Sequence, residues 1–320
     1  MLGPVNSARP KPENENKGAP ASAAPRASGE IVRAENLCKS FGSNPVLRGA
    51  SFSVMRGEIF GIIGPNGSGK STLLGLISGV EKPDSGTVLL DGKPVRHYSR
   101  KGLAQWLAVL RQEPLPAAAF TVREVVEMGR FPHQNWLGGE PDGGEERIEA
   151  ILRRLELSGL AGRTLAQLSG GERQRAALGK VMAQDPRLLL LDEPTTYLDI
   201  GHQIQLMDKI KQWQRESDLT VVAVLHDLNL AALYCDRLML MHRGKTVCVG
   251  TPGEILRSDL IAEAYGTEPI VIRHPAEGVP QIVLQKGESG GLGTPGDDAP
   301  EKRFAIAEGV GQIGKGKTGT

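Results

Sequence analysis

The sequence predicts an α/β fold, and three observations carry that prediction. Short, continuous apolar runs such as Ile59–Ile63, Leu188–Leu191 and Thr220–Leu225 suit strands of a parallel sheet covered on both faces. Helical stretches alternate with these runs, as in βα units. A glycine-rich loop, Gly64–Gly69, joins one run directly to the helix opening at Lys70.

In chain order, Ile31–Leu37, Ala50–Val54 and Glu58–Ile63 read as strands. Lys70–Gly79 reads as a helix, because it leaves a glycine-rich loop. Thr87–Leu90 and Trp106–Leu110 are further β-like runs. A mostly helical stretch follows, with Thr121–Met128, Glu145–Leu155 and Gly170–Ala183; about 113–183 reads as an inserted helical subdomain. Leu188–Leu191, Thr220–Leu225, Arg237–Met241 and Thr246–Val249 return to strand. Pro269–Leu284 reads as a terminal β-hairpin. Residues 1–29 are rich in Pro, Ala, Asn and Ser, and residues 287–320 hold 10 Gly in 34 positions. Both tails are expected to be disordered, leaving a compact unit over 30–286.

Composition excludes several classes. In the 320 residues, Lys+Arg (38) and Asp+Glu (37) nearly cancel, so the basic excess of a nucleic-acid backbone binder is absent. Aromatics at 4% leave little for base-stacking platforms. No apolar run approaches the roughly 18 residues of a membrane span, and the first 20 residues lack the apolar core of a secretory signal. The three cysteines (Cys38, Cys235 and Cys248) form no CxxC and read as apolar residues of a reducing compartment.

Gly64-Pro65-Asn66-Gly67-Ser68-Gly69-Lys70-Ser71-Thr72 matches GxxxxGK[ST], between a buried strand and a helix. Its amides are suited to cradle phosphates at the positive end of the helix. Lys70 is expected to reach the β- and γ-phosphates and Ser71 to ligate Mg²⁺. The same pattern recurs at Gly311–Thr318, but no strand precedes it and the sequence ends two residues later. It is rejected as a phosphate loop.

Leu188–Leu191 runs into Asp192-Glu193-Pro194, where ligands of open α/β sheets sit. Asp192 is placed for the ion that Ser71 touches, and Glu193 for orienting or deprotonating a water. The separation of about 120 residues between Lys70 and Asp192 disfavours small GTPases and nucleotide kinases, and no NKxD-type guanine motif is present. Ser169-Gly170-Gly171-Glu172 is a capping box whose two glycines weaken a helix but expose its first amides. A second phosphate-facing turn makes sense if it serves another subunit's nucleotide.

Together, GPNGSGKST (64–72), LSGGERQR (168–175), LLLLDEP (188–194) and His226 strongly resemble the ATP-binding subunit of ABC transporters over about 31–273. The resemblance implies a P-loop NTPase with a mixed-sheet core, an antiparallel β subdomain and the helical insert. It implies that Gln112 senses Mg²⁺ and the γ-phosphate and faces a membrane partner. Ser169, Gly170 and Gly171 would grip the γ-phosphate of the opposite subunit, and Asp199 would cross the dimer interface. His226 would contact the γ-phosphate, and Phe41 would stack on adenine. Plainer readings stand beside these: Phe41 packing on the core, His226 as a buried histidine, and Asp199 capping the next helix.

TTYLDIGHQ (195–203), GRFPH (129–133) and the ending EAYG…IVIRHP…GVPQIV resemble importers of iron–siderophore complexes, haem and cobalamin. The implied assembly is an ATP-sandwich homodimer with ATP and Mg²⁺. It would be peripheral on the cytoplasmic face of the membrane, bound to transmembrane permease subunits and served indirectly by an extracytoplasmic solute-binding protein. No nucleic acid is expected. The alternative is a soluble ABC-type ATPase of DNA repair or translation, but sustained heptads and a second credible phosphate loop are missing. A non-hydrolysing regulator is disfavoured by intact Lys70, Asp192 and Glu193.

Overall fold

The computed structural model describes residues 29–111, 115–134, 144–196 and 198–285; both expected tails lie essentially outside this range. Three sheets are present among the described residues. The central one has the order β10(Lys245–Gly250), β9(Arg237–His242), β3(Ile59–Ile63), β8(Thr220–Val224), β7(Leu188–Asp192), β6(Leu107–Leu110). Strands β9, β3, β8, β7 and β6 run parallel, and only β10 is antiparallel to its neighbour.

Alternation inside the parallel strands explains their continuous hydrophobicity. Ile59 and Ile63 of β3 enter one core with Leu189 and Leu191 of β7 and Val221 and Ala223 of β8. Phe60, Ile62, Leu188, Leu190, Val222 and Val224 point into a second core on the other face. A strand covered on both faces has no polar positions, so it reads as an unbroken apolar run.

The second core is closed by an antiparallel sheet of order β2(Asn44–Met55), β1(Glu30–Phe41), β4(Ser85–Leu90), β5(Lys93–Pro94). Register shifts interrupt β1 several times, so its apolar alternation is broken and its real extent exceeds the readable Ile31–Leu37. Helix α1(Lys70–Ile77) is sandwiched there, burying Leu73, Leu74, Leu76 and Ile77.

The first core holds α3(Val122–Met128), α4(Gly144–Arg154) and α5(Gly170–Ala183) against the central sheet. The segment 129–133 fastens this layer. Buried Arg130 donates to the Ala183 carbonyl at 2.8 Å, and His133 Nε2 lies 2.7 Å from the Gln184 carbonyl. Gln184 in turn donates to the carbonyls of Ala104 and Leu107, joining the end of α5 to β6.

One difference from the sequence reading lies at Trp106, expected in a strand. It ends α2(Arg100–Trp106), a helix capped by Ser99, and β6 starts one residue later. The switch is tertiary: Leu107 pairs with Leu188, whereas the Trp106 ring packs near Tyr98, with centroids 6.1 Å apart.

The chain continues through α6(Ile200–Glu216), α7(Leu228–Tyr234), α8(Pro252–Ile255) and α9(Ser258–Tyr265) to a hairpin of β11(Ile270–Arg273) and β12(Pro280–Val283). Asn229 of α7 clips this hairpin on, accepting from the Ile282 amide at 2.6 Å and donating to its carbonyl at 3.2 Å. The three cysteines are free; Cys235 is buried, and burial pushes its thiol far above the usual range. No described helix is long and apolar enough to cross a membrane.

Candidate nucleotide site

The loop after β3 turns through glycines that other residues would strain. Gly64, Gly67 and Gly69 have φ of 149°, 76° and 98°. A Cβ on Gly64 would stand 2.2 Å from the Met241 carbonyl oxygen, so the loop is seated directly on β9. Asn66 and Gly67 lie exposed at the tip, while Ser68 and Gly69 are buried.

Lys70 is buried, and its ammonium donates to the carbonyls of Gly64 at 2.9 Å and Pro65 at 3.0 Å. Burial pushes its pKa below the ordinary lysine range, against the opposing pull of Glu193 and Asp192. The loop therefore encloses a cation short of negative charge, which is what a phosphate supplies. Ser71 donates to Asp192 Oδ1 at 3.3 Å. Burial holds the Asp192 carboxyl above the usual range, and the neighbouring Glu193 charge adds to the rise.

Strand β7 ends at Asp192, and Glu193 follows with φ of 49°, its amide donating to Val224 at 3.2 Å. That left-handed turn brings the Glu193 carboxylate into contact with His226 Nε2. Thr196 Oγ1 lies 3.5 Å from the other carboxylate oxygen. Lys70, Ser71, Asp192, Glu193 and His226 thus stand together beyond the carboxyl ends of β3, β7 and β8.

A groove runs from Ser71, Thr72 and Asp192 to Phe41, which is half exposed, with Val80 and Arg111 on its walls. Lys39 Nζ lies 5.1 Å from the centre of the Phe41 ring. Phe41 is therefore not a core residue. Arg111 was not a sequence candidate; nothing in the local pattern marks it, and only the β6–β7 pairing brings it beside Asp192. Gln112 lies outside the described residues.

The second glycine turn stands apart from this cluster. Ser169 caps α5, accepting from Glu172 at 3.3 Å, and Glu172 returns a bond to the Ser169 amide at 2.7 Å. These amide and hydroxyl donors hold the Glu172 carboxyl below the usual range. The amides of Gly170 and Gly171 occupy the unpaired first turn of the helix. Asp199 caps α6 through the His202 amide at 2.9 Å and stays well exposed.

The buried carboxylate predicts a stability effect. The folded chain holds the Asp192 proton more tightly than the unfolded chain does. The stability this gives is present at acid pH and is lost as pH rises through the raised value. At neutral pH the ionised carboxylate is therefore a net cost. Asp192→Asn is expected to raise the melting temperature of the nucleotide-free protein by about 1–3 °C. Mg²⁺-dependent turnover should be lost at the same time. Calorimetry beside an ATPase assay checks both, and a lowered melting temperature would contradict the reading of Asp192 as a carboxylate destabilised by burial.

Comparison with known proteins agrees with this geometry. The ABC transporter family profile matches residues 47–196. The hemin import ATP-binding protein HmuV of Pseudomonas aeruginosa is 43% identical over 260 residues, covering 80% of this chain and 100% of that protein. The ferric enterobactin transport ATP-binding protein FepC of Escherichia coli K12 is 39% identical over 252 residues, covering 79% of this chain and 93% of that one. An uncharacterized ABC transporter ATP-binding protein, YvrA of Bacillus subtilis, is 40% identical over 255 residues, and the match spans 79% of this chain but 58% of YvrA. Among solved structures, one described as a metal-chelate type ABC transporter in an inward-facing conformation superposes with a TM-score of 0.69 at 25% identity, covering 81% of this chain and 99% of that one. With a GxxxxGK[ST] loop, an acidic strand end and a glycine-led helix in one α/β domain, this chain belongs to the ATP-binding proteins of the ABC transporter family.

Proposed function

We propose that this chain hydrolyses ATP as the motor subunit of an importer for iron–siderophore complexes, haem or cobalamin. The observation that carries the ATPase part is the convergence of Lys70, Ser71, Asp192, Glu193 and His226 at one sheet edge. Identity near 40% with FepC and HmuV supports the solute class.

In this reading Lys70 exchanges its loop carbonyls for the β- and γ-phosphates. Ser71 and Asp192 present two hard oxygens 3.3 Å apart, a pair suited to Mg²⁺, which would neutralise charge on the phosphates when bound. Glu193, held by His226, accepts a proton from the attacking water, and His226 is left beside the γ-phosphate position. Phe41 lies where the groove would receive the base. Ser169, Gly170 and Gly171 serve the nucleotide of a second copy, so two composite sites form about a two-fold axis. Transmembrane permease subunits bind near Gln112 and the helical layer, which places the chain on the cytoplasmic face of the membrane, and a solute-binding protein acts through the permease.

The longest described helix, α6, has 17 residues, too short for the coiled-coil arm of a DNA-repair ATPase. The relatives named above carry transport names.

The experiment mixes two inactive chains. Ser169→Arg should spare ATP binding by the monomer but block closure, and Lys70→Ala should weaken ATP binding. Their mixed dimer contains one doubly damaged site and one intact site, so activity should reappear on mixing. If Ser169→Arg abolished ATP binding by isolated monomers, the trans assignment would fail. Uptake of radiolabelled ferric siderophore, hemin and cobalamin by a deletion strain then identifies the solute. Unchanged uptake of all three would refute the importer class proposed.

A further inference from the structure

The starts of α5 and α6 touch through a glycine and a histidine. A Cβ on Gly171 would stand 2.9 Å from Cδ2 and 3.0 Å from Nε2 of His202. The imidazole is tethered at one nitrogen. Its Nδ1 lies 2.8 Å from each carboxylate oxygen of Asp199, and the His202 amide also donates to Asp199. Gly171 does not have a positive φ, so backbone conformation does not call for glycine there. What calls for it within one subunit is the His202 ring. Gly170 next to it differs, because a Cβ there would meet nothing within 4 Å.

Three further bonds tie these segments together. Gln203 donates to the carbonyls of Thr195 at 3.2 Å and Leu198 at 3.0 Å, folding the loop after β7 onto α6. Buried Gln174 of α5 donates to the Pro194 carbonyl at 3.3 Å. The residues Asp199, His202 and Gln203 thus form a brace that links Thr195 and Leu198 to the glycine turn.

We propose that His202 is a positioning residue of the composite ATP site. Held by Asp199, it occupies the space of a side chain at 171 and locks Leu198 and Asp199 to the turn Ser169–Gly171. The two segments that face the partner subunit's nucleotide are then presented as one rigid unit, and a misplacement of either is transmitted to the other. This rests on the reading above that the turn acts in trans.

The test is an allele-specific rescue in the full-length chain. Gly171→Ala alone should lower kcat by about 10²-fold, because the added methyl displaces the ring from its bond to Asp199, while ATP affinity of the isolated subunit stays unchanged. His202→Ala alone should lower kcat about 3–10-fold at constant KM, since the brace is lost but the phosphate loop is untouched. The double variant Gly171→Ala/His202→Ala should recover at least about tenfold over Gly171→Ala. Gly170→Ala should gain nothing from His202→Ala, as no contact links the two. A purely structural role would lower ATP binding along with turnover and would show no such selectivity.

The proposal is overturned if the double variant is no better than Gly171→Ala, or if Gly171→Ala is harmless, while wild type hydrolyses ATP. If instead the wild-type chain never closes with ATP, the trans reading fails and takes this proposal with it. Retained ATP binding in each variant shows that it has folded.

Discussion

Glu193→Gln is expected to lower ATP hydrolysis by about 10²–10⁴-fold while ATP binding survives. The substitution keeps size and shape, so the left-handed turn at φ 49° and the bond from the Glu193 amide to Val224 remain. What goes is the carboxylate that His226 holds. An amide accepts a hydrogen bond from water but does not take its proton, so the loss falls on the chemical step. Lys70, Ser71 and Asp192 are untouched, so affinity for Mg·ATP should change little. Single-turnover and equilibrium-binding measurements on the purified complex separate the two, and near-wild-type turnover would remove Glu193 from this role.

Lys70→Ala should be at least as severe, lowering turnover by about 10³-fold or more and weakening nucleotide binding. Lys70 is a buried cation bonded to backbone carbonyls of its own loop, and burial has lowered its pKa. Alanine leaves those carbonyls facing the phosphates with no positive charge between them. Lys317→Ala supplies the comparison, because Gly311–Thr318 spells the same motif. It should be silent in both assays, because nothing in the sequence immediately before Gly311 matches the five-residue apolar strand Ile59–Ile63 that seats the loop at Lys70. If Lys317→Ala weakened ATP binding as Lys70→Ala does, the C-terminal tail would be a second nucleotide site.

How much of this was legible in the sequence depends on how local the cause is. Strands β3, β7 and β8 were readable because each is buried on both faces, which leaves an unbroken apolar run. Strand β1 was readable from Ile31 to Leu37 and not beyond, since its C-terminal residues Cys38–Phe41 are half buried or exposed and its register slips. The boundary at Trp106 was not readable. Leu107 is a strand residue because Leu188 pairs with it, a contact across some 80 positions. The chemical residues followed the same rule. Lys70, Ser71, Asp192 and Glu193 lie in contiguous motifs whose spacing already states their geometry. Arg111 lies in none of them, and His202 lies inside TTYLDIGHQ (195–203) without any role read from it. Arg111 gains its meaning from the neighbouring strand end, and His202 from Gly171, about 30 residues earlier. The one local signal for His202 was an Asp-x-x-His pair at a helix start, a spacing that places the ring back over its own cap.

The account's central claim is that each nucleotide is enclosed by two copies of this chain, and the mass of the Glu193→Gln protein tests it most directly. Without nucleotide the chain should run as a monomer of 34.2 kDa, and saturating Mg·ATP should double that mass. Adding Ser169→Arg in the same background should return it to the monomer while ATP remains bound. A chain that stays monomeric at saturating ATP, or a dimer indifferent to Ser169→Arg, would contradict the account.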